Sequence, residues 1–350
     1  MKTRSFALVA IAALFFNVAA FAAGDTKKPR AKKRASMRLV AMLPASDGVA
    51  IFDAKQFLGT ALPTLLASNQ PALTDITAKI NEMSARTGID LRKFEEIAVG
   101  IAAKQVSATE TDYEPVAIAS GDVTDGALNA IKKMSSNGSY REEKIAGKTV
   151  YIFTAGPSMQ QTSSTTSSSK ISAAIDKALR GLQREIAVTA IDRNTLVFGC
   201  LDRVRETLEG RTHVGADLTG LLAAKEMSVA NFAFKPAGKM GKMLPLDTDM
   251  LGTSLDGIQY VTGAIDVTAT GTTLQAMART RLPHQAAELK DTLDVLQTMG
   301  TAVLGNSKKP GQAIYGRIIK NAKFTVRGTD VMFDLTVPQS DIDALVAAIK

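Results

Sequence analysis

The chain has one cysteine, two histidines and no tryptophan among its 350 residues, and aromatic residues make up only 5% of it. Because Cys200 is alone, no intramolecular disulfide can form, and the fold must depend on a hydrophobic core. A hydrophobic content of 45% is sufficient to build one. Surfaces that bind carbohydrates or stack nucleic-acid bases use exposed aromatic rings. The composition therefore disfavours both kinds of surface.

The scarcity of histidine limits metal and acid–base chemistry. His213 and His284 are far apart in the sequence, and neither belongs to a zinc-binding motif. His284 follows a proline at a predicted helix start, where a polar residue is ordinary, and we interpret it as structural.

Acidic clusters occur at Asp247/Asp249, in residues 110–114 and at Glu142-Glu143. None continues into a calcium-binding loop, which needs a glycine and a distal glutamate at fixed positions. We interpret the first two clusters as exposed loop acids and the third as a charged strand face that pairs with neighbouring bases. The sequence thus predicts no metal site and no cofactor.

Cys200 is the most plausible nucleophile, because it lies where a predicted strand, 196–199, turns into a helix. A helix N-terminus lowers the pKa of a thiol. However, Phe198 and Asp202 stand where a nucleophile elbow has glycines, and His213 is the only histidine near it in sequence. We interpret Cys200 as a structural residue.

Two further motifs are weak. Ser167 and Lys170 match an S-x-x-K string, but they lie in or beside the Ser/Thr run at 162–169, where chance matches are expected. Residues 238–242 contain two Gly-Lys pairs but lack the G-K-[ST] ending of a phosphate-binding loop. The sequence predicts no catalytic residue.

The N-terminus has the pattern of a secretory signal peptide over residues 1–22. Lys2 and Arg4 precede an apolar run, and Ala20-Phe21-Ala22 provides the small residues that signal peptidase recognises. We expect an extracytoplasmic protein, periplasmic or secreted. The alternative is an uncleaved membrane anchor formed by residues 5–23, because positive charge just after the apolar run opposes translocation.

The positive charge of the chain is concentrated at its start. The net charge is +8; residues 1–38 contain nine of the 42 Lys and Arg and one of the 34 Asp and Glu, so the remainder is balanced. A nucleic-acid-binding domain should be basic over its folded surface, so none is expected. Residues 23–38 have no apolar periodicity, which predicts a disordered basic tether. Its bases would attach to an anionic envelope surface or serve only as a solvated spacer: Lys27, Lys28, Arg30, Lys32, Lys33 and Arg34.

The rest of the chain alternates short apolar strands with amphipathic helices. Hairpins are predicted around Ala146-Gly147, 192–194 and 328–330, and each half ends in a hairpin followed by a helix. We predict an α+β fold of mostly antiparallel sheet with packed helices, as two loosely repeated lobes of order βαββα(β)ββα. The lobes are placed at 39–210, with the Ser/Thr-rich loop, and at 211–350.

Three stretches resemble those of secreted bacterial proteins of unknown function that have paired α+β lobes. They are LPASDGVAIFDAKQFL (43–58), YREEKIAGKTVYIF (140–153) and AVTAIDRNTLVFGCLDRVRETL (187–208). Relative to that pattern, the Ser/Thr run looks like an insertion. The resemblance implies the fold class and export, and it implies no activity and no site residues.

These observations favour a non-enzymatic protein of the cell envelope that acts as a scaffold or a binding module. The alternative is an extracytoplasmic enzyme, such as a hydrolase, whose site is assembled from loop residues that sequence patterns do not reveal.

Overall fold

The computed structural model describes residues 30–87, 90–105, 111–122, 126, 128–129, 140–154, 185–224, 228–236, 255–305 and 310–348. The fold is α+β, with antiparallel sheet and several helices. The chain divides into two compact units, one formed by the described parts of 30–55 and 77–219 and the other by those of 56–76 and 220–350. Among the described residues, no helix combines the length and the hydrophobicity that crossing a membrane requires.

The first unit has seven described strands. Their hydrogen-bonded order is β1-β2-β3-β7-β6-β5-β4, and neighbouring strands in this order run antiparallel. Helices α1 to α4 and a 3-10 helix at Leu91–Lys93 accompany them in the sequence, and the boundaries between the units fall within Ala54–Gln56, α2 and α4. The bounds are α1 Arg30–Met42, β1 Gly48–Asp53, α2 Gln70–Thr87, β2 Phe94–Gln105, β3 Thr111–Gly121, β4 Tyr140–Ile145, β5 Lys148–Thr154, β6 Glu185–Asp192, β7 Thr195–Cys200, α3 Leu201–Glu209 and α4 Ala216–Ala223.

Helix α1 corrects the prediction of a disordered tether at 23–38, because Arg30–Arg38 are helical. The helix packs on β1, β2 and β3 with Leu39 and Val40, which are fully buried. Ser36 is also buried, and its hydroxyl donates a hydrogen bond of 2.6 Å to Glu96 Oε1 on β2. These contacts anchor a segment that has no apolar periodicity of its own. Residues 23–29, like the predicted signal peptide, lie outside the described residues.

Three short helical pieces follow β1: Ala54–Gln56, Phe57–Ala61 and Leu62–Leu65. The boundary between the units falls after Lys55, so the second unit begins at Gln56. Its five described strands have the order β11-β12-β10-β9-β8. An apolar cluster of Leu255, Ala286, Leu289 and Val331 joins helix to sheet. The bounds are β8 Ala230–Phe234, β9 Ile258–Thr268, β10 Gly271–Thr280, α5 Pro283–Gly305, α6 Pro310–Lys320, β11 Lys323–Arg327, β12 Asp330–Pro338 and α7 Gln339–Ala348.

The predicted division at 210/211 differs from the observed one. The first unit extends to Thr219 because the Val214 amide donates to the Leu43 carbonyl oxygen at 3.3 Å and Leu218 is fully buried. Residues 56–76 belong to the second unit, where Gln339 Nε2 on α7 donates to the Leu65 carbonyl oxygen at 3.2 Å. The loose internal repeat remains a prediction.

Candidate functional site

Cys200 is the last residue of β7 and directly precedes α3, as the sequence predicts. Burial raises the pKa of its thiol to about 12, and the negative charges of Glu114 and Asp112 add to the effect. Burial and acidic neighbours therefore outweigh the helix N-terminus, which alone would favour the thiolate. At neutral pH the residue is a protonated thiol, which is a poor nucleophile.

His213, the histidine nearest to Cys200 in the sequence, lines a cavity of the first unit with a volume of about 230 Å³. The ends of α1 and α3, the turn between β4 and β5, and the end of β6 form its wall. Cys200 is not among the described residues that line it. Apolar lining comes from five side chains: Ala41, Met42, Ala146, Ile191 and Leu208. Lys148, Thr207 and His213 supply the polar groups.

His213 is fixed through the backbone on both sides of it. The Val214 amide donates to the Leu43 carbonyl oxygen at 3.3 Å, and the Ala45 amide donates to Thr212 Oγ1 at 3.3 Å. The exposed imidazole therefore stands on a segment that is tied to the loop between α1 and β1.

Lys148 is placed by the tight turn of the β4–β5 hairpin. Ala146 and Gly147 have φ values of 48° and 77°, the left-handed conformation that two-residue hairpin turns use. Lys148 pairs with Ile145 as the first residue of β5, and Thr189 Oγ1 on β6 donates to the Thr149 carbonyl oxygen at 2.7 Å. The hairpin predicted at these residues is confirmed, and it presents a lysine at the rim of the cavity.

Arg203, on α3, is bonded to the loop after α1 beside the cavity. Only 3% of this residue is exposed, although it is charged. Its Nη2 donates to the Ala45 carbonyl oxygen at 2.5 Å and to Ser46 Oγ at 3.0 Å, while Nη1 donates to Glu206. One turn along α3, Thr207 Oγ1 donates to the Arg203 carbonyl oxygen at 2.8 Å. Arg203 thus ties α3 to the loop that follows α1, so that the ends of both helices meet at the cavity.

The carboxylates singled out by the sequence form ion pairs. Glu143 accepts hydrogen bonds from Arg205 at 3.2 Å and from Arg141 at 3.1 Å, and these, Arg205 foremost, lower the pKa of its carboxyl group. Glu114, in the 110–114 cluster, pairs with Lys104 at 2.9 Å. In the described part of the chain, no three His, Cys, Asp or Glu side chains are grouped as a metal site would need.

Several candidate residues lie outside the described residues: Lys27, Lys28, Ser167, Lys170, 238–242, Asp247 and Asp249. His284 is exposed in the first turn of α5. Sequence reasoning missed Lys148 and Arg203. The hairpin signal at Ala146-Gly147 could have placed Lys148 at a turn, whereas Arg203 has no sequence signal, because its partners are the distant Ala45 and Ser46.

No protein-family model matches the chain, and no curated protein matches it. Similar solved structures are crystal forms IV, I and III of a protein called TP0453. Form IV has 11% identity and a TM-score of 0.43 over 90% of this chain and 98% of that one. Form I has 11% identity and a TM-score of 0.42, and the match covers 89% of this chain and 96% of that one. Form III has 10% identity and a TM-score of 0.42, and the match covers 89% of this chain and 98% of that one. At these values the similarity carries no argument about function.

Proposed function

We propose that the protein is an exported, non-enzymatic binding module that attaches to an anionic surface of the cell envelope through its basic N-terminal segment. The observation that carries this proposal is the charge distribution of the chain after cleavage: residues 23–38 hold seven Lys and Arg and one Asp, a net charge of +6, and the residues after 38 balance to zero. A polybasic segment near an anionic membrane gains about 1 kcal/mol of binding free energy per Lys or Arg. Because the rest of the chain has no net charge, the net electrostatic attraction to an anionic surface comes from this segment.

Helix α1 supports the proposal in a second way. Part of the basic segment, Arg30–Arg38, is continuous with a helix whose Leu39 and Val40 are buried in the first unit. Attachment through this segment would therefore hold the first unit at a short distance from the surface. A long flexible tether would not restrict it in this way.

The absence of enzymatic activity is likewise part of the proposal. The raised pKa of Cys200 disfavours thiolate catalysis. His213, the nearest candidate base in sequence, lines a cavity whose described wall does not include Cys200.

Export is tested by fractionating cells and sequencing the N-terminus of the recovered protein. Cleavage after Ala22 predicts Ala23 as the first residue and recovery outside the cytoplasm. An intact Met1 in the membrane fraction would instead support the anchor formed by residues 5–23.

Attachment is tested by sedimentation of the protein that begins at Ala23 with vesicles of neutral or anionic lipid. We expect binding to anionic vesicles only, and loss of binding between 0.1 and 0.5 M salt, about a twofold change in screening length. Replacing six bases by glutamine should abolish it: Lys27, Lys28, Arg30, Lys32, Lys33 and Arg34. A matched variant replaces six exposed bases elsewhere and should retain binding: Lys144, Arg193, Arg281, Lys320, Lys323 and Arg327. Equal losses in both variants would contradict attachment through the N-terminal segment.

A further inference from the structure

The cavity at His213 is separate in its chemistry from the proposed attachment segment. It is a depression open to solvent with no buried residue in its lining, and Met42, Ile191 and Leu208 contribute its larger apolar side chains. Lys148 and His213 add basic groups, and both are exposed. Among the described residues that line it, none is an aspartate or a glutamate. An apolar lining with basic groups at its edge is the chemistry that binds an amphiphilic anion.

The C-termini of α1 and α3 at the cavity disfavour the binding of an anion, because each carries a partial negative charge. Part of this charge is already neutralised: the Leu43 carbonyl oxygen accepts a hydrogen bond from the Val214 amide, and the Glu206 carbonyl oxygen accepts one from the Gly210 amide at 3.0 Å. Lys148 carries a full positive charge, and the His213 imidazole can donate a hydrogen bond. The balance favours a negatively charged head group at the rim.

The size of the cavity restricts the apolar part of such a ligand. Sites that enclose a drug-sized molecule occupy about 300–1,000 Å³. A volume of about 230 Å³ is smaller than this range. A short alkyl group fits, while the polar end must remain at the solvent-exposed rim.

The site is also preorganised, which reduces the entropic cost of binding. The backbone on both sides of His213 is hydrogen-bonded to the loop after α1, and Lys148 begins a strand at a tight turn. Arg203 holds α3 against the same loop.

We propose that this cavity binds a short-chain amphiphilic carboxylate. Its alkyl portion contacts Met42, Ile191 and Leu208, and its carboxylate interacts with Lys148 and His213. This ligand site does not depend on the attachment proposed above, because it lies in the folded part of the first unit and uses none of the six N-terminal bases.

The probe is sodium octanoate, titrated into the protein that begins at Ala23 and followed by calorimetry and by backbone amide NMR shifts. We expect amide shifts confined to the cavity. The exposed Lys148→Ala substitution should weaken binding about fivefold, the scale of a solvent-exposed ion pair. Lys144→Ala is the matched control, because it removes the same charge from the same hairpin. Lys144 pairs with Thr149, whereas Lys148 pairs with Ile145, so the two lysines lie on opposite faces of the sheet. Lys144→Ala should leave affinity unchanged.

The apolar half of the site is tested separately. Ala41 is exposed and lines the cavity, so Ala41→Phe should fill the space and abolish octanoate binding without disturbing the core. 1-Octanol, which has the same alkyl chain and no charge, should bind more weakly than octanoate. The proposal is overturned if octanoate shifts no cavity amides, if octanol binds as tightly as octanoate, or if Lys144→Ala and Lys148→Ala weaken binding equally.

Discussion

In the first unit, helix contacts include buried polar side chains beside the apolar Leu39 and Val40, whereas the cluster that joins α5 to the sheet of the second unit is wholly apolar. In the first, Ser36 bonds to the buried Glu96, and the guanidinium of Arg203 reaches the loop after α1. In the second, the cluster of Ala286, Leu289 and Val331 contains no polar member. The first attachment should therefore be sensitive to the loss of a hydrogen-bonding group, and the second to added volume.

The glycines of α5 and α6 show how close the packing of the second unit is. A Cβ placed on Gly316 would lie 2.6 Å from the Gly305 amide nitrogen and 2.7 Å from its Cα. Such contacts with backbone cannot be relieved by rotating a side chain. Further along the pair, Gln297 Nε2 on α5 donates to the Ile319 and Ala322 carbonyl oxygens at the end of α6, at 2.9 and 2.7 Å.

Arg203→Ala should have the largest effect, because it leaves the Ala45 carbonyl oxygen and Ser46 Oγ without their buried donor. We expect a loss of about 2 to 3 kcal/mol in the free energy of unfolding, the cost of removing hydrogen bonds to a charged group. Urea denaturation measures it. Arg205→Ala, two positions along the same helix, removes only half-exposed ion pairs with Glu143 and Asp202 and should cost less than about 1 kcal/mol. Equal costs would show that burial of Arg203 is not what stabilises the first unit.

Gly316→Ala tests the second unit by adding one methyl group. Although alanine is the better helix former, we expect a loss of about 1 to 3 kcal/mol, because the helices must separate to accept it. Gly220→Ala in α4 is the matched control, since no atom lies within 4 Å of a Cβ there. That substitution should raise stability by about 0.5 to 1 kcal/mol. A gain in both variants, measured by thermal denaturation, would contradict tight packing of α5 on α6.

Gln297→Glu should cost about 1 kcal/mol, because the carboxylate cannot donate to the carbonyl oxygens and lies at the negative end of α6. Gln285→Glu makes the same change in the first turn of α5, where Gln285 Oε1 accepts from the Leu282 amide at 3.2 Å. A carboxylate still accepts there and lies at the positive end of a helix. We therefore expect no loss of stability for Gln285→Glu, and denaturant titration should show a loss for Gln297→Glu alone. Similar losses would mean that Gln297 contributes through packing alone.

The sequence could predict the elements that depend on local signals and not those that depend on contacts between distant residues. Hairpins at Ala146-Gly147 and 192–194, and the end of α3 at Gly210 with its φ of 63°, were predictable because each signal is local. Helix α1 was not, because its basic residues have no apolar period and its anchors, Leu39 and Val40, come at its end.

The candidate site was less predictable still. Arg203 lies on a helix whose apolar residues, Leu201, Val204 and Leu208, recur at helical spacing, and that pattern places an arginine on the solvent side. Its burial follows from a carbonyl group 158 residues earlier in the chain. His213 was identified only as a possible partner of Cys200. Its actual neighbours depend on a hairpin and a loop that no local pattern brings together.

Cys200→Ser should have the smallest effect on the free energy of unfolding at neutral pH, and the sign of this effect depends on pH. Burial raises the pKa of the folded thiol to about 12, above the value of about 8.5 expected in the unfolded chain. Below pH 8.5 both states hold the proton, so the thiol contributes no pH dependence. As the pH rises from about 8.5 towards 12, the unfolded state ionises first and the folded state loses stability, by up to about 1.4 kcal/mol per pH unit. Cys200→Ser removes this slope while costing little at pH 7. Urea denaturation of both proteins at pH 7 and 9.5 measures the difference, and a thiol reagent should label the native protein slowly at either pH. Rapid native labelling at pH 7 would show that Cys200 is a thiolate and would make the enzyme hypothesis the leading one.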